Sequence, residues 1–291
     1  MPNTRNLVKS KQNNKPIFFR ETKVSTLVRK VSEQVLKRFA SFDKDEIPKN
    51  KILIGTHHKT GTVWLESVFS KVSNQFDLEW FSGGNKDVIP KEWQVLQHTH
   101  SHFQKEILEN NNFKGLHIIR DPRDIAVSAA FYHCKSHEDW LHVPRAEFGN
   151  KTYQNRINEC NNFDDKLIFE MDHSTATGLS DISQWNYDDL RFINVKYEEL
   201  IADNNMKLFR DVFEFLGFKG EALIRCLQIA FANSLFSGRV TSQHVRSGNS
   251  NQWKEYFKKS HAEHFCDKFG DLLIRLGYEE NNNWVKECKD H

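Results

Sequence analysis

Short apolar runs alternate with stretches of helical spacing along most of the chain. Ile52, Leu53 and Ile54 form a run too short for a helix, with the composition of a strand buried on both faces. After a polar turn, Leu65, Val68, Phe69 and Val72 share one helical face, and Thr62 stands where it can cap that helix. Further strands are predicted at 95–100, 115–119 and 191–195, with a short strand and loop over 75–90. Helices are predicted at 103–108, from Pro122 to about His133, at 206–216, at 221–232 and over 253–276. Proline suits the first position of the second of these. Val24, Leu27, Val28, Val31, Val35 and Phe39 predict an amphipathic helix ahead of the first strand. Strands that alternate with helices imply an α/β fold, a central parallel sheet flanked by helices. Residues 135–188 break the alternation. They are polar and acidic, with Trp140 and Trp185, and read as an inserted lid or substrate-binding region within one domain spanning 23–291.

Composition narrows the partners. With 291 residues, 38% hydrophobic and 12% aromatic, the chain can build a sizeable core. A net charge of +2 gives no reason to expect nucleic acid or a membrane surface, so any basic site must be local. Residues 1–22 carry Arg5, Lys9, Lys11, Lys15 and Arg20 against Glu21 alone, and read as a flexible, solvated tail. The five cysteines include no Cys-x-x-Cys pair, which points to reduced thiols and a cytoplasmic protein. No apolar run has membrane-spanning length, and no signal-peptide core opens the chain.

The first strand leads into Thr56-His57-His58-Lys59-Thr60-Gly61-Thr62-Val63-Trp64. A strand, a tight turn with a lysine and a helix N-terminus together make an anion site, because free N–H groups, the helix dipole and a cation converge on one point. The expected ligand is a phosphate. A Walker A loop is excluded, since Lys59 precedes Gly61 instead of following a glycine. The segment resembles the phosphosulfate loop of sulfotransferases, the family whose donor is 3′-phosphoadenosine 5′-phosphosulfate (PAPS) and whose fold is related to P-loop kinases. The resemblance implies that Lys59, Thr60, Gly61, Thr62, Val63 and Trp64 bind the donor.

Three further segments extend it in the family's order. Arg120-Asp121-Pro122-Arg123-Asp124-Ile125-Ala126-Val127-Ser128 is similar to the 3′-phosphate motif, in which a strand-end arginine and a helix serine converge, here Arg120 and Ser128. Tyr197, in Lys196-Tyr197-Glu198-Glu199-Leu200, matches an adenine-contacting tyrosine, with Ser234 and Phe236 as further candidates. Arg246-Ser247-Gly248, followed by Trp253, Lys254 and Phe257, keeps the spacing of the family's late phosphate loop. Ser247 stands there in place of a lysine and Asn251 in place of a glycine.

For catalysis the family has Lys-Thr-His where this chain has His98-Thr99-His100, so His100 matches the general base and His98 replaces the lysine. An imidazole suits a base at neutral pH, and Lys59 can offset charge on the leaving phosphate. Zinc-like patterns also exist. His98, His100 and His102 would share one face of a strand, and His133 and His137 are spaced i,i+4 on a helix. The donor motifs explain the neighbourhood without a metal, and the family's mechanism requires none, so no metal is expected. The resemblance thus implies sulfuryl transfer from PAPS to a small-molecule hydroxyl or amine, with 3′,5′-adenosine bisphosphate (PAP) as product. Glu159, Asp164, Asp165, Glu170, Asp172 and Asp181 raise a cationic acceptor, such as a guanidinium alkaloid, as a hypothesis. The alternatives are a nucleotide kinase of related fold and a non-catalytic PAPS- or PAP-binding protein.

Overall fold

The computed structural model describes residues 43–234, 237 and 249–289. The basic tail, the helix expected before Ser41, and the candidates Phe236, Arg246, Ser247 and Gly248 lie outside the described residues. From Lys44 onward the described residues belong to one compact unit.

Five strands form a wholly parallel sheet: β1 (Lys51–Gly55), β2 (Trp80–Gly83), β3 (Val95–His98), β4 (Phe113–Ile119) and β7 (Phe192–Lys196), in the order β2-β3-β1-β4-β7. The short β5 (Pro144–Arg145) and β6 (Lys151–Thr152) pair antiparallel, apart from this sheet. β1 is central because its apolar run suits a position covered on both faces, and Ile52, Leu53 and Ile54 are fully buried. Within the sheet, packing is tight at Gly115 of β4. A Cβ there would lie 2.2 Å from the Phe192 ring on β7, so only glycine fits.

Helix α1 (Thr62–Phe76) buries Leu65, Val68, Phe69 and Val72, as the spacing predicts. Its N-cap, however, is Gly61, at φ 101°, and Thr62 is its first residue. The threonine hydroxyl is used elsewhere, 3.0 Å from both His57 O and Thr56 Oγ1. Helix α2 is only Lys105–Leu108, while α3 spans Pro122–His133 with Asp121 as its cap. The strand expected over 95–100 stops at His98, because His98 Nδ1 accepts N–H bonds from His100 (3.2 Å) and His102 (3.3 Å) and curls the chain.

Residues 135–188, expected to be irregular, are largely helical. Helices α4 (Tyr153–Asn158), α5 (Phe163–Asp172) and α6 (Ser174–Gln184) bury Leu167, Met171, Leu179 and Ile182 in the same core as Ile119, Ile125 and Trp253. Their apolar positions are spread thinly among acids and hydroxyls, so helical spacing was faint. The remaining helices, α7 (Tyr197–Ala202), α8 (Lys207–Leu216), α9 (Gly220–Ala232), α10 (Trp253–Tyr256), α11 (Lys259–Phe269) and α12 (Leu272–Arg275), follow β7.

A clip missed in the sequence joins this C-terminal layer to the sheet. The fully buried Arg123 donates Nε and Nη2 to Asp121 (3.0 and 2.8 Å) and Nη1 to Glu279 (2.6 Å). Its guanidinium lies 3.6 Å from the centre of the Trp253 ring and 4.7 Å from that of Trp284. A planar, permanently charged fork satisfies both carboxylates and stacks on both indoles, which a lysine would not do.

Candidate active site

The neighbours of β1 are β3 on one side and β4 on the other, and the chain reaches them in separate excursions. Such a switch point opens a crevice at the carboxyl ends of the strands. A cavity of about 1570 Å³ lies there. That exceeds the usual 300–1,000 Å³ of a single-ligand pocket and leaves room for two reactants.

One wall is the loop after β1. Thr60 Oγ1 accepts from His57 N–H (2.9 Å) and donates to His57 O (2.9 Å), so Thr60 faces inward and pins the turn instead of lining the cavity. Lys59, at φ 64°, and Gly61, at φ 101°, complete the tight bend. A Cβ on Gly61 would come within 3.1 Å of the Tyr197 ring. The bend aims the first turn of α1, whose N–H groups have no intrahelical acceptor, toward the cavity. Lys59, Gly61, Thr62, Val63 and Trp64 all line it.

Arg120 follows β4 and Tyr197 follows β7, so strand ends place both beside the loop. Arg120 is 7% exposed. Its Nη1 donates to Lys59 O (3.0 Å), and its guanidinium stands 4.7 Å from the centre of the Tyr197 ring. Its Nε is buried without an acceptor among the described residues, and so is Trp64 Nε1. Asp124, 3.8 Å from Arg120, is not fully committed to it: one oxygen accepts the Trp253 N–H (2.9 Å), and burial raises its pKa. Ser128, two turns along α3, lines the same wall. Trp64 packs edge-on against Tyr197 (6.1 Å) and Phe209 (5.7 Å). Burial raises the Tyr197 pKa, which keeps its phenol neutral and able to donate. Ser234 is placed differently: it is fully buried, donates to Ala230 O (2.7 Å) and does not line the cavity.

His100 also lines the cavity. Burial lowers its pKa below 6.5, while the carboxylate of Asp181 acts to raise it. The imidazole is therefore unprotonated at neutral pH, as a proton acceptor must be. His98 is 5% exposed and held neutral by burial, its pKa lowered to about 4, so it does not supply the cation of the lysine it replaces. His102 pairs with Asp181 (3.0 Å) and Asn85 (2.9 Å). With the strand ending at His98, the three histidines do not share one strand face. Helix α3 ends at His133, so His137 is not its i,i+4 partner either.

The acidic cluster read in 135–188 is dispersed. Glu159 pairs with Lys151 and Arg156, Asp164 with Lys258, and Glu170 is buried against His133. Only Asp172 and Asp181 of the six line the cavity, and both have partners, Lys268 and His264 for the first and His102 for the second. Around them stand Phe131, Tyr132, Trp140 and Tyr153. Tyr132 carries the Lys59 ammonium 3.6 Å from the centre of its ring.

A family model for the sulfotransferase domain matches residues 49–277. Sulfotransferase 2A2 of Rattus norvegicus is 22% identical over 273 residues, covering 83% of this chain and 90% of its own length. Sulfotransferase 2A2 of Mus musculus is 20% identical over 276 residues, with 84% and 90% covered. Two solved structures share the fold at a TM-score of 0.51. Retinol dehydratase with androsterone and inactive cofactor PAP is 17% identical and covers 83% of this chain and 85% of that one. Mouse sulfotransferase SULT7A1 complexed with PAP is 18% identical, with 88% and 93% covered.

Proposed function

The chain belongs to the sulfotransferase domain family, and from that premise we propose that it transfers the sulfuryl group of PAPS to a hydroxyl or amine of a small-molecule acceptor, with His100 as general base. The observation that carries this reading is convergence. Lys59 with the α1 N-terminus, Arg120 with Ser128, and His100 come from three separate segments and line one cavity. PAPS supplies a sulfuryl group already activated as a mixed anhydride with phosphate.

The residues fit such a donor. The Gly61 bend and the first turn of α1 suit its 5′-phosphate. Arg120, with an Nε lacking any described acceptor, and Ser128 suit its 3′-phosphate. Trp64 and Tyr197 offer flat surface to the adenine. In the reaction, His100 takes the acceptor proton as the acceptor oxygen attacks sulfur, and the sulfur–oxygen bond to phosphate breaks in line. Lys59 balances the charge left on that phosphate. No step is routed through a metal. A cationic acceptor would meet Asp172 and Asp181, and that finer reading rests on those two carboxylates.

The test is PAP formation from PAPS across a panel of neutral phenols and cationic alcohols. Acceptor-dependent PAP release, lost in His100→Ala, supports transfer with His100 as base. Release unchanged in that variant would reassign the base. Neutral phenols outcompeting every cationic alcohol would reject the cationic acceptor. PAP binding without turnover on any acceptor would favour a donor-binding protein.

A further inference from the structure

Among the described residues, one group of metal-capable side chains converges, and it matches neither histidine pattern raised by the sequence. His58, His133 and Glu138 offer ligand atoms that all lie within 4.8 Å of one another. His58 comes from the loop after β1, His133 from the last turn of α3, and Glu138 from the turn that follows. His58 and Glu138 line the cavity, whereas His133 is fully buried behind them.

Two of the three ligands, His133 and Glu138, are already oriented by further partners. His133 Nδ1 meets Glu170 Oε1 at 2.5 Å, with both side chains fully buried, and Thr175 Oγ1 donates to the other Glu170 oxygen (3.4 Å). With Nδ1–H given to Glu170, His133 Nε2 is left as a lone pair. It faces His58 Nε2 at 2.9 Å across stacked rings. Glu138 accepts from Tyr132 OH (2.9 Å) and Trp140 Nε1 (2.6 Å). A carboxylate behind a histidine, fixing its tautomer and ring plane, is the usual outer support of a metal-bound imidazole.

We propose that His58, His133 and Glu138 form a transition-metal site on the cavity wall beside Lys59, with zinc as the ion its donors suit. Two imidazole nitrogens and one carboxylate select zinc or cobalt over magnesium or calcium. Two Zn–N bonds of about 2.0–2.1 Å at a tetrahedral angle set the nitrogens about 3.4 Å apart. The present 2.9 Å contact therefore has to open by only about half an ångström, with the shared proton of neutral His58 moving from Nε2 to Nδ1 so that both Nε2 atoms present lone pairs. Three protein ligands leave a fourth position for an oxygen donor from the cavity, a water or an acceptor hydroxyl. The site does not depend on the donor reading, because neither Arg120 nor the Gly61 bend contributes to it.

The experiment uses the full chain, stripped with a chelator and titrated with Co2+ and then Zn2+. One equivalent of Co2+ giving the visible absorption of a four- or five-coordinate ion, displaced by zinc, is the expected result. His58→Ala and Glu138→Gln, each checked for fold by circular dichroism, lose that absorption or weaken zinc binding at least tenfold. Glu170→Gln weakens it about 10- to 100-fold as a positioning residue. Glu138 lies on the cavity wall, so its variant keeps the test available if changes at the buried His133 prevent folding. Only the spectrum of hydrated Co2+, or zinc affinity equal in wild type, His58→Ala and Glu138→Gln, overturns the site and leaves a hydrogen-bonded histidine pair. PAP binding measured in the same samples separates failure of this site from failure of the donor reading.

Discussion

The two walls of the cavity are assembled differently. The loop wall takes Lys59 and Gly61 to Trp64 from one continuous segment and adds Arg120 and Tyr197 from the first residues after two strands. The rest of the lining takes His100 from a turn, Glu138 and Trp140 from beyond α3, Tyr153 from α4, and Asp172 and Asp181 from α5 and α6. In the first, backbone geometry makes the site, and a short motif carries it whole. In the second, helices packed by a thin apolar stripe bring distant side chains together, and no local spacing records the meeting. The loop wall suits one constant ligand, while the other can change its ligand without changing the fold.

Removing the one reacting group on the variable wall gives the largest expected effect. His100→Ala should lower kcat by about 100- to 10,000-fold while PAP affinity stays unchanged, measured by turnover and by PAP titration. A parallel loss of PAP affinity would show that the two walls are not separable. On the loop wall, Arg120→Ala should weaken PAP binding by about 100- to 1,000-fold, the scale of truncating one partner of a buried charge pair, read by calorimetry.

Acid should strain the layer beneath the loop wall next. His117 is fully buried, 2.8 Å from His57 and 2.9 Å from Asn194, and burial lowers its pKa to about 3. Between pH 6.5 and 3 the unfolded chain holds a proton there that the folded chain does not. Stability from this group is therefore present above pH 6.5 and falls by up to about 1.4 kcal/mol per pH unit below it. Melting curves from pH 7.5 to 5 should show the decline, with a flatter slope in His117→Gln. The smallest effect concerns His100 itself. Its acid limb in kcat/KM should fall below pH 6.5, and Asp181→Asn, which removes a charge that raises the pKa, should move that limb further down. A limb that moves upward would contradict the assigned environment.

The contrast also explains what was legible in the sequence. Apolar runs marked the parallel sheet because a strand buried on both faces has few alternatives in composition. The residues proposed for the donor stood out in the sequence because a bend that exposes helix N–H groups needs its lysine and glycine at fixed positions. Thr60 and Thr62 were placed in the right loop, but their hydroxyls hold the bend itself, through His57 and Thr56. The helices of 135–188 were missed because their acids are spent on partners in other segments, such as Lys258 and Lys268, invisible to local spacing. His58 was read only as part of the loop, and its contact with His133, 75 residues away, appears only in the fold.

The central claim is that the loop wall recognises a nucleotide with a 3′-phosphate. Thermal stabilisation by PAP, with adenosine 5′-monophosphate and ATP as controls, tests it most directly. At a hundred times its Kd, PAP should add about 2.7 kcal/mol of stability, with little effect from either control at the same concentration. Equal stabilisation by ATP, or none by PAP, would contradict it.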